Sequence, residues 1–357
     1  MLLYYLTKEV AHWVLRGRIN KHSDVYRGFS LYKRTGGGKK SIFKVLKELN
    51  TLSSYWHAFP DVYFRFGMFL KGYTDMERMK SFVPQNAYYK FAADKDSRYH
   101  VLIDDKILFH DLMTQYGLPV PTRYFTFRND EFRKGDTLLS NQEVDAILND
   151  IDDDHIFVKR FTGGAASGVS IFTRKSKGIY VDSDNQQVNA QMIREKYKGQ
   201  DFFFEKQLIQ EPVLSQFNPD TVNTIRVMTY KDKVISAAVR FGGKGSFVDN
   251  TAKGGVAVSL DIDTGMLQTY GLREYDLTHY TEHPGSHLPF KDTFVTQWAG
   301  AKTLVERTLK YLPYYNSVGF DVATTVNGPV IIEINTGAGI YLSQMGKDYG
   351  LANEFKK

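Results

Sequence analysis

Residues 318–335 read Val-Gly-Phe-Asp-Val-Ala-Thr-Thr-Val-Asn-Gly-Pro-Val-Ile-Ile-Glu-Ile-Asn. Two apolar runs flank Asn327-Gly328, and that dipeptide is a strong signal for a tight turn between antiparallel strands. Side chains alternate along a strand, so Glu333 and Asn335 share one face, and Asp321 on the partner strand can face the same side. These are hard oxygen ligands of the kind that Mg²⁺ prefers. The alternative is that basic residues neutralise the carboxylates inside the core.

The chain changes character at Gly117-Leu-Pro-Val-Pro121, because each proline disfavours a helix at the preceding residue. Before this break the apolar patterns are mostly helical. After it, strand-like runs occur at 124–127, 156–159, 169–173, 202–205, 224–230, 234–240, 256–262, 318–324 and 330–334, and helical patterns at 141–150, 187–198 and 292–312. Hairpins such as that of 224–230 with 234–240 predict an α+β chain with antiparallel pairing.

The chain has 357 residues, more than one hydrophobic core usually serves, so two or three lobes are expected. Residues 1–100 hold 18 Lys and Arg against 8 Asp and Glu, a net of +10, whereas the rest hold 28 against 32. The first segment contains the basic loop Lys33-Arg-Thr-Gly-Gly-Gly-Lys-Lys40, which lacks the spacing of a P-loop. Such a charge fits nucleic acid, anionic lipid or an acidic glycan, and equally an ordinary solvated surface.

The sequence contains no cysteine, which excludes disulfides and thiolate metal sites. Its N-terminus lacks a convincing secretory signal, because Lys8 and Glu9 interrupt the apolar run. No stretch reaches the roughly 20 uncharged apolar residues that are needed to span a bilayer. We therefore expect a cytoplasmic protein, with peripheral contact at the inner face of a bacterial membrane left open.

Three shorter signals indicate a bound nucleotide. Lys159 ends a strand-like run, and the glycine-rich segment 161–169 follows it. Glycines let backbone N–H groups approach a phosphate closely, and a strand-terminal lysine adds a point charge. A second run ends in Glu205 and reaches Glu211 through a short linker, which can offer backbone groups to an adenine and a carboxylate to a ribose. Taken alone, the glycine-rich segment is a weak signal, since many such segments are turns, and the Glu205–Glu211 segment is more typical of an ordinary strand exit with exposed acids.

The order of these motifs resembles the ATP-grasp superfamily over roughly residues 100–345. The segments around Arg226, Arg240 and 248–255 look like its sugar-transfer associated branch, which is linked to the assembly of bacterial surface polysaccharides. The resemblance implies an α+β fold in which two lobes clamp ATP, preceded by a mostly helical, basic lobe. The implied boundaries are 1–100 for the helical lobe, 101–208 for the linker and small lobe, and 209–357 for the large lobe.

The resemblance also implies a role for each matching residue. The residues that would contact or cover the ATP phosphates are Lys106, Lys159, Gly163, Gly164, Ser167 and Gly168. Those that would frame the adenine and the ribose are Glu205, Lys206, Leu208 and Glu211. The ligands of Mg²⁺, with Mn²⁺ as an alternative ion, would be Asp321, Glu333 and Asn335, and the catalytic residues would be Arg226, Arg240 and Lys159. Some amino-acid ligases of the superfamily carry an arginine two residues before the metal-binding aspartate, whereas this chain has Gly319 there.

The reaction that the resemblance implies is the ATP-dependent joining of a carboxylate to an amine through an acyl-phosphate. The expected substrates are small molecules or glycans, among them sugar acids and amino acids, and no nucleic acid. The basic N-terminal lobe would contact a lipid-linked glycan or a membrane surface. Two alternatives stay open from the sequence: a kinase that phosphorylates a hydroxyl on the same scaffold, and a protein that binds ATP without turnover.

Overall fold

The computed structural model describes residues 1–16, 20–93, 97–161, 169–243 and 255–355. A helical region comes first, and strands dominate from residue 123 onward. The α-helices are α1 (Leu2–Arg16), α2 (Asp24–Arg34), α3 (Ile42–Trp56), α4 (Asp61–Arg65), α5 (Met76–Ser81), α6 (Gln85–Ala92), α7 (Val101–Asp104), α8 (Lys106–Gln115), α9 (Asn141–Asp150), α10 (Ala190–Lys196), α11 (Pro212–Ser215), α12 (Trp298–Leu309) and α13 (Ala352–Phe355).

The first sheet contains seven strands within the described residues, in the order β3-β2-β1-β7-β4-β5-β6. These strands are β1 (Arg123–Arg128), β2 (Glu131–Lys134), β3 (Thr137–Leu139), β4 (His155–Arg160), β5 (Val169–Ser176), β6 (Ile179–Val181) and β7 (Phe202–Lys206). All of their pairings are antiparallel. Buried aromatic residues such as Phe125, Phe172 and Phe204 form one core with residues of α9 and α10. This sheet with its two helices is the smaller of the two β-containing lobes.

The second sheet contains five described strands in the order β10-β9-β8-β11-β12. They are β8 (Thr224–Tyr230), β9 (Lys233–Phe241), β10 (Val256–Leu260), β11 (Gly319–Thr325) and β12 (Gly328–Asn335), and their pairings are antiparallel. One core joins this sheet to α8 through Phe109 and Met113 and to α12 through Trp298 and Val305. The helix α8 is therefore held against the five-stranded sheet of the larger lobe, which fixes the position of its first residue, Lys106.

The sequence-based expectations for the strands are confirmed in kind. Each of the nine predicted runs corresponds to a strand, and the hairpin of 224–230 with 234–240 is β8 with β9. The helix predicted at 141–150 is α9, whereas α10 and α12 are shorter than the patterns at 187–198 and 292–312. The prediction missed β2, β3 and β6. The α+β class with antiparallel sheets after a helical region is confirmed.

One core of the helical region is shared with the five-stranded sheet. Trp56 and Tyr88 belong to the same buried cluster as Met228 on β8 and Phe355 of α13. The buried hydroxyls of Tyr88 and Ser317 are hydrogen-bonded at 2.8 Å. The helices that precede residue 93 are thus anchored against the five-stranded sheet by apolar packing.

Candidate active site

The hairpin of β11 and β12 places Asp321 between an acid and an arginine. Asp321 lies opposite Glu333 on β12 and opposite Arg226 on β8. Arg226 donates from Nε to Asp321 Oδ1 at 2.5 Å and from Nη2 to Oδ2 at 3.1 Å. Arg240 on β9 adds a third contact, from Nη2 to Oδ2 at 3.1 Å. The alternative that the sequence left open, a buried carboxylate neutralised by basic residues, therefore describes Asp321.

Electrostatics keep Asp321 ionised although its side chain is only 5% exposed. Burial by itself raises the pKa of a carboxyl group, but the charges of Arg226 and Arg240 outweigh this effect, and the pKa falls to about 2. A side-chain contact with Glu333 lowers the pKa of Asp321 further.

Glu333 is the more accessible of the two carboxylates, with a third of its side chain exposed. The side-chain amide of Asn335 donates to Glu333 Oε1 at 3.0 Å, which holds both side chains on one face of β12. Lys106 Nζ lies 3.6 Å from Glu333 Oε2. Asp105 caps the start of α8 by accepting from two backbone N–H groups, so the cap fixes the direction in which Lys106 leaves the helix.

A cleft separates the two sheets at this point. Lys159 on β4 and Glu205 on β7 line it from the seven-stranded sheet, and they are ion-paired at 2.8 Å. Lys106 and Glu333 line it from the side of the five-stranded sheet. The remaining lining residues are Phe109, His110, Pro121, Phe203 and Ile332. Four residues that the sequence singled out, two lysines and two glutamates, are thus brought together from two lobes.

Other residues named from the sequence lie elsewhere. Lys206 is exposed, with its Nζ 3.6 Å from Asp153 Oδ1. Leu208 is half-buried and does not line the cleft. Glu211 is 2% exposed, and its carboxylate caps α11 by accepting from Val213 N and Leu214 N. The predicted lid residues Gly163, Gly164, Ser167 and Gly168 lie outside the described residues.

Arg123, at the start of β1, is a residue that the sequence reasoning missed. It lies opposite Glu205 in the sheet, and its Nη2 donates to the backbone carbonyl of Lys106 at 3.2 Å. Its guanidinium also lies over the ring of Phe203, 5.2 Å from the centroid. Arg123 therefore connects α8, which carries Lys106, to β7, which carries Glu205. The only signal in the sequence is a basic residue at the start of a strand, directly after the proline break.

Gly319 leaves no room for an arginine at that position. A Cβ atom on this residue would lie 2.4 Å from Ala338 Cβ and 3.0 Å from Met228 Sδ. It would also lie 3.3 Å from Cδ of Arg226, so the side chain of Arg226 passes directly beside Gly319. The neighbouring strand thus supplies a guanidinium beside the position where related ligases carry their own.

Within the described residues, no group of three or more His, Cys, Asp or Glu side chains is arranged to hold a metal ion. The candidate set of two carboxylates and one amide is compatible with this result, because its third member is an asparagine. No helix in the described part of the chain is long and apolar enough to cross a membrane.

A cleft between two α+β lobes, lined by two lysines and by Glu333 of a late hairpin, is the arrangement of an ATP-grasp protein. The chain belongs to the sugar-transfer associated ATP-grasp family, whose model matches residues 85–357. This match covers about three quarters of the chain and confirms both the resemblance and the fold expected from the sequence. No curated protein matches the chain in sequence.

Several solved structures resemble the chain at low identity. A RimK domain ATP-grasp protein of Sphaerobacter thermophilus has a TM-score of 0.41 and 13% identity, over 73% of this chain and 70% of that one. The ATP-grasp ligase PsnB, solved with a minimal precursor, Mg and ADP, has a TM-score of 0.39 and 13% identity, over 72% and 59%. D-alanine–D-alanine ligase of Bacillus anthracis has a TM-score of 0.35 and 12% identity, over 66% and 57%. The chain thus spans less than two thirds of the length of the last two proteins.

Proposed function

We propose that the protein is an ATP- and Mg²⁺-dependent ligase that joins a carboxylate to an amine through an acyl-phosphate. The proposal rests most on the cleft in which Lys106, Lys159 and Glu333 meet, beside the paired arginines Arg226 and Arg240. Family membership supports ATP as the nucleotide. The ligases among the structures of similar fold agree with this reaction class.

The donor set of β12 suits Mg²⁺. This ion commonly takes one or two carboxylates from a protein and keeps its other positions for water and phosphate oxygens. Glu333 supplies an accessible carboxylate, and Asn335 uses its amide nitrogen on Glu333, which leaves its oxygen for a cation. Asp321 would contribute through Oδ1, next to the arginines that hold it. When bound, the metal would neutralise charge on the transferring phosphoryl group.

The two lysines approach the cleft from different lobes. Lys106 comes from α8, which packs on the five-stranded sheet, and Lys159 comes from β4 of the seven-stranded sheet. Both ammonium groups are held by carboxylates, Glu333 and Glu205. A bound polyphosphate would compete with these ion pairs, so nucleotide binding would exchange internal contacts for phosphate contacts and draw the lobes together. Positioning and charge neutralisation are the main contributions of a protein to phosphoryl transfer.

Arg226 and Arg240 suit the acid that receives the phosphoryl group. Both guanidinium groups lie beside Asp321, where they would also face an anionic substrate bound next to it. Guanidinium forks fit carboxylate and phosphate oxygens. The amine would then attack the acyl-phosphate and expel phosphate, and this sequence needs no nucleophile from the protein. The substrate that we propose is a sugar acid or an amino acid, and the product would be used in surface-polysaccharide assembly, in keeping with a family described as associated with sugar transfer.

A phosphate-release screen tests the proposal. The full-length protein is incubated with ATP and Mg²⁺, and uronic acids and amino acids are crossed against amines. Release of ADP and phosphate that needs both an acid and an amine is the expected result. ADP formation without free phosphate, together with a stable phosphoester, would identify a kinase instead.

A matched pair of variants controls this screen. Glu333→Gln is expected to lower turnover at least about 100-fold, because it removes the accessible carboxylate of the candidate metal site. Glu131→Gln changes an exposed acid on β2, outside the cleft, and should keep wild-type activity. Unchanged activity in Glu333→Gln would overturn the metal assignment, and stabilisation by Mg-ATP in a thermal shift assay reports nucleotide binding separately.

A further inference from the structure

The basic loop 33–40 has no part in the cleft, yet it belongs to a distinct surface. It joins α2 to α3, and the backbone N–H of Lys71 donates to Gly38 O at 2.8 Å, which ties segment 70–72 to it. We call the surface formed by residues 33–47 and 70–72 the α2–α3 face. Its exposed lysines are Lys33, Lys44, Lys47 and Lys71.

The α2–α3 face is positively charged because the nearby acids are used inside the lobe. Glu48 pairs with the buried Lys40 at 2.7 Å and accepts from Tyr63. Asp24 and Asp61 both pair with the buried Arg65. Among the described residues, no carboxylate lies within ion-pair distance of the four exposed lysines. The internal pairs therefore leave the excess charge of this lobe on the outside.

Two exposed apolar residues lie on the same face as these charges. Ile42 and Phe43 begin α3, and their side chains are 38% and 82% exposed. Beside them, Gly36, Gly37 and Gly38 have open space at every Cβ position, so this edge of the face has no bulky side chains. A single exposed phenylalanine is ordinary on a protein surface. An adjacent exposed apolar pair on a lysine-rich face is what a surface that enters a lipid interface presents.

We propose that the α2–α3 face docks on an anionic phospholipid bilayer, with Phe43 and Ile42 inserted between the headgroups. The lysines would lie at the level of the lipid phosphates, where each contributes roughly a fivefold gain in partitioning. A soluble polyanion would satisfy the lysines but would leave the two apolar side chains in water, which favours the bilayer as the partner. This docking is peripheral and independent of the chemistry of the cleft.

Vesicle co-sedimentation of the full-length protein tests the proposal. Phosphatidylcholine vesicles containing about a quarter phosphatidylglycerol should bind the protein at about 50 mM salt and release most of it at about 500 mM. Pure phosphatidylcholine vesicles should bind it at least about tenfold more weakly. The triple variant Lys44→Gln, Lys47→Gln, Lys71→Gln should lose roughly 100-fold in partitioning, and Phe43→Ala about tenfold.

Matched variants elsewhere on the surface provide the controls. Lys175→Gln with Lys177→Gln removes exposed charge from the smaller lobe, and Phe294→Ala removes a 46% exposed phenylalanine from the larger lobe. Both should bind vesicles as the wild type does. Far-ultraviolet circular dichroism shows that the variants are folded, and Phe43→Trp adds a blue-shifted emission on insertion.

Three outcomes would overturn the proposal. The first is no binding to phosphatidylglycerol vesicles at low salt. The second is equal loss in the control variants, which would indicate unspecific attraction. The third is full retention in Phe43→Ala together with displacement by soluble polygalacturonate, which would indicate an acidic-glycan surface instead. ATP binding, followed separately by thermal shift, should be unchanged in every variant, so failure here would leave the proposed ligase function untouched.

Discussion

Asp321 illustrates what a sequence can and cannot give at the scale of single residues. The turn signal and the alternation of side chains predicted that Asp321, Glu333 and Asn335 share one face, and the structure agrees. The arginine contacts depend on the register of β11 against β8 and on a diagonal reach from β9, which no short motif encodes. The residue that looked like a simple metal ligand is therefore also the anion that positions two guanidinium groups.

Replacing Asp321 by asparagine should lower both stability and activity. The variant leaves Arg226 and Arg240 without their buried carboxylate, which should cost about 3 kcal/mol in the free energy of unfolding. Turnover should fall at least about 100-fold, because the arginines lose their orientation. Urea denaturation and the phosphate-release assay measure the two effects. A variant that is as stable as the wild type would contradict the assigned ion pairs.

The same residue makes a prediction about pH. The pKa of Asp321 is about 2 in the folded protein against an ordinary value of 3.8, so its ionised form stabilises the fold. This contribution, about 2 kcal/mol, is fully present above pH ~4 and is lost as the pH falls towards ~2. The difference in unfolding free energy between wild type and Asp321→Asn should therefore stay constant from pH ~5 to ~8 and shrink in acid. A difference that changes near neutral pH would contradict it.

Asp61 should behave in the opposite way. Burial raises its pKa to about 6, and Arg65 only partly counteracts this, while Asp24 adds repulsion. The folded state then favours the protonated acid, so stability falls as the pH rises from ~4 to ~6, by about 3 kcal/mol in total. Relative to Asp61→Asn, the wild type should lose this amount between pH ~4 and ~7, as measured by urea denaturation. The prediction would be contradicted if the free energy of unfolding had the same pH dependence in both proteins.

At the scale of elements, the long strands were predictable and the short ones were not. Runs such as Thr224–Tyr230 and Lys233–Phe241 carry enough apolar residues to mark a strand. The missed strands are β2, β3 and β6, which have four, three and three residues. Their pairing depends on the neighbours β1 and β5, so the signal lies in the sheet and not in the segment. On the α2–α3 face the sequence marked the basic loop 33–40 but not the exposed Ile42 and Phe43, since exposure cannot be read from composition.

Two glycines of the β11–β12 hairpin separate crowding from backbone conformation. Gly319→Ala places a Cβ against Ala338, Met228 and Arg226, which should cost about 2 kcal/mol and reduce turnover by displacing Arg226. Gly328 has φ +110° and open space around it, so Gly328→Ala should cost about 1 kcal/mol through its backbone conformation alone. Turnover per folded molecule should stay normal in Gly328→Ala. Equal activity in both variants would contradict the role of Gly319 in admitting Arg226.

At the scale of the whole molecule, the helical region packs against the five-stranded sheet. The sequence suggested a lobe boundary near residue 100 from charge and pattern, and such signals say nothing about which apolar faces meet. The structure joins the two through Tyr88, Met228 and Phe355, and through Tyr275, which belongs to the core of the helices. Removing residues 1–100 would expose these contacts, so point substitutions are the better test of how the regions cooperate.

Arg65 offers such a test, because it ties α4 to the larger lobe. Its guanidinium is 8% exposed, is ion-paired with Asp24, Asp61 and Glu274, and lies over the rings of Tyr275 and Tyr341. Arg65→Met leaves three acids without this partner and should cost about 4 kcal/mol in the free energy of unfolding.

Arg27 is the matched control, because it also contacts Glu274, at 3.2 Å, and stacks on Tyr275, but its side chain is 36% exposed. Arg27→Met should cost less than about 1 kcal/mol, since water screens an exposed pair. Urea denaturation followed by far-ultraviolet circular dichroism and by tryptophan fluorescence measures both variants. Because the helices and the five-stranded sheet share a core, Arg65→Met should shift both signals together in one transition. Separate transitions, or equal losses in the two variants, would mean that the helical region unfolds on its own and that Arg65 does not anchor it.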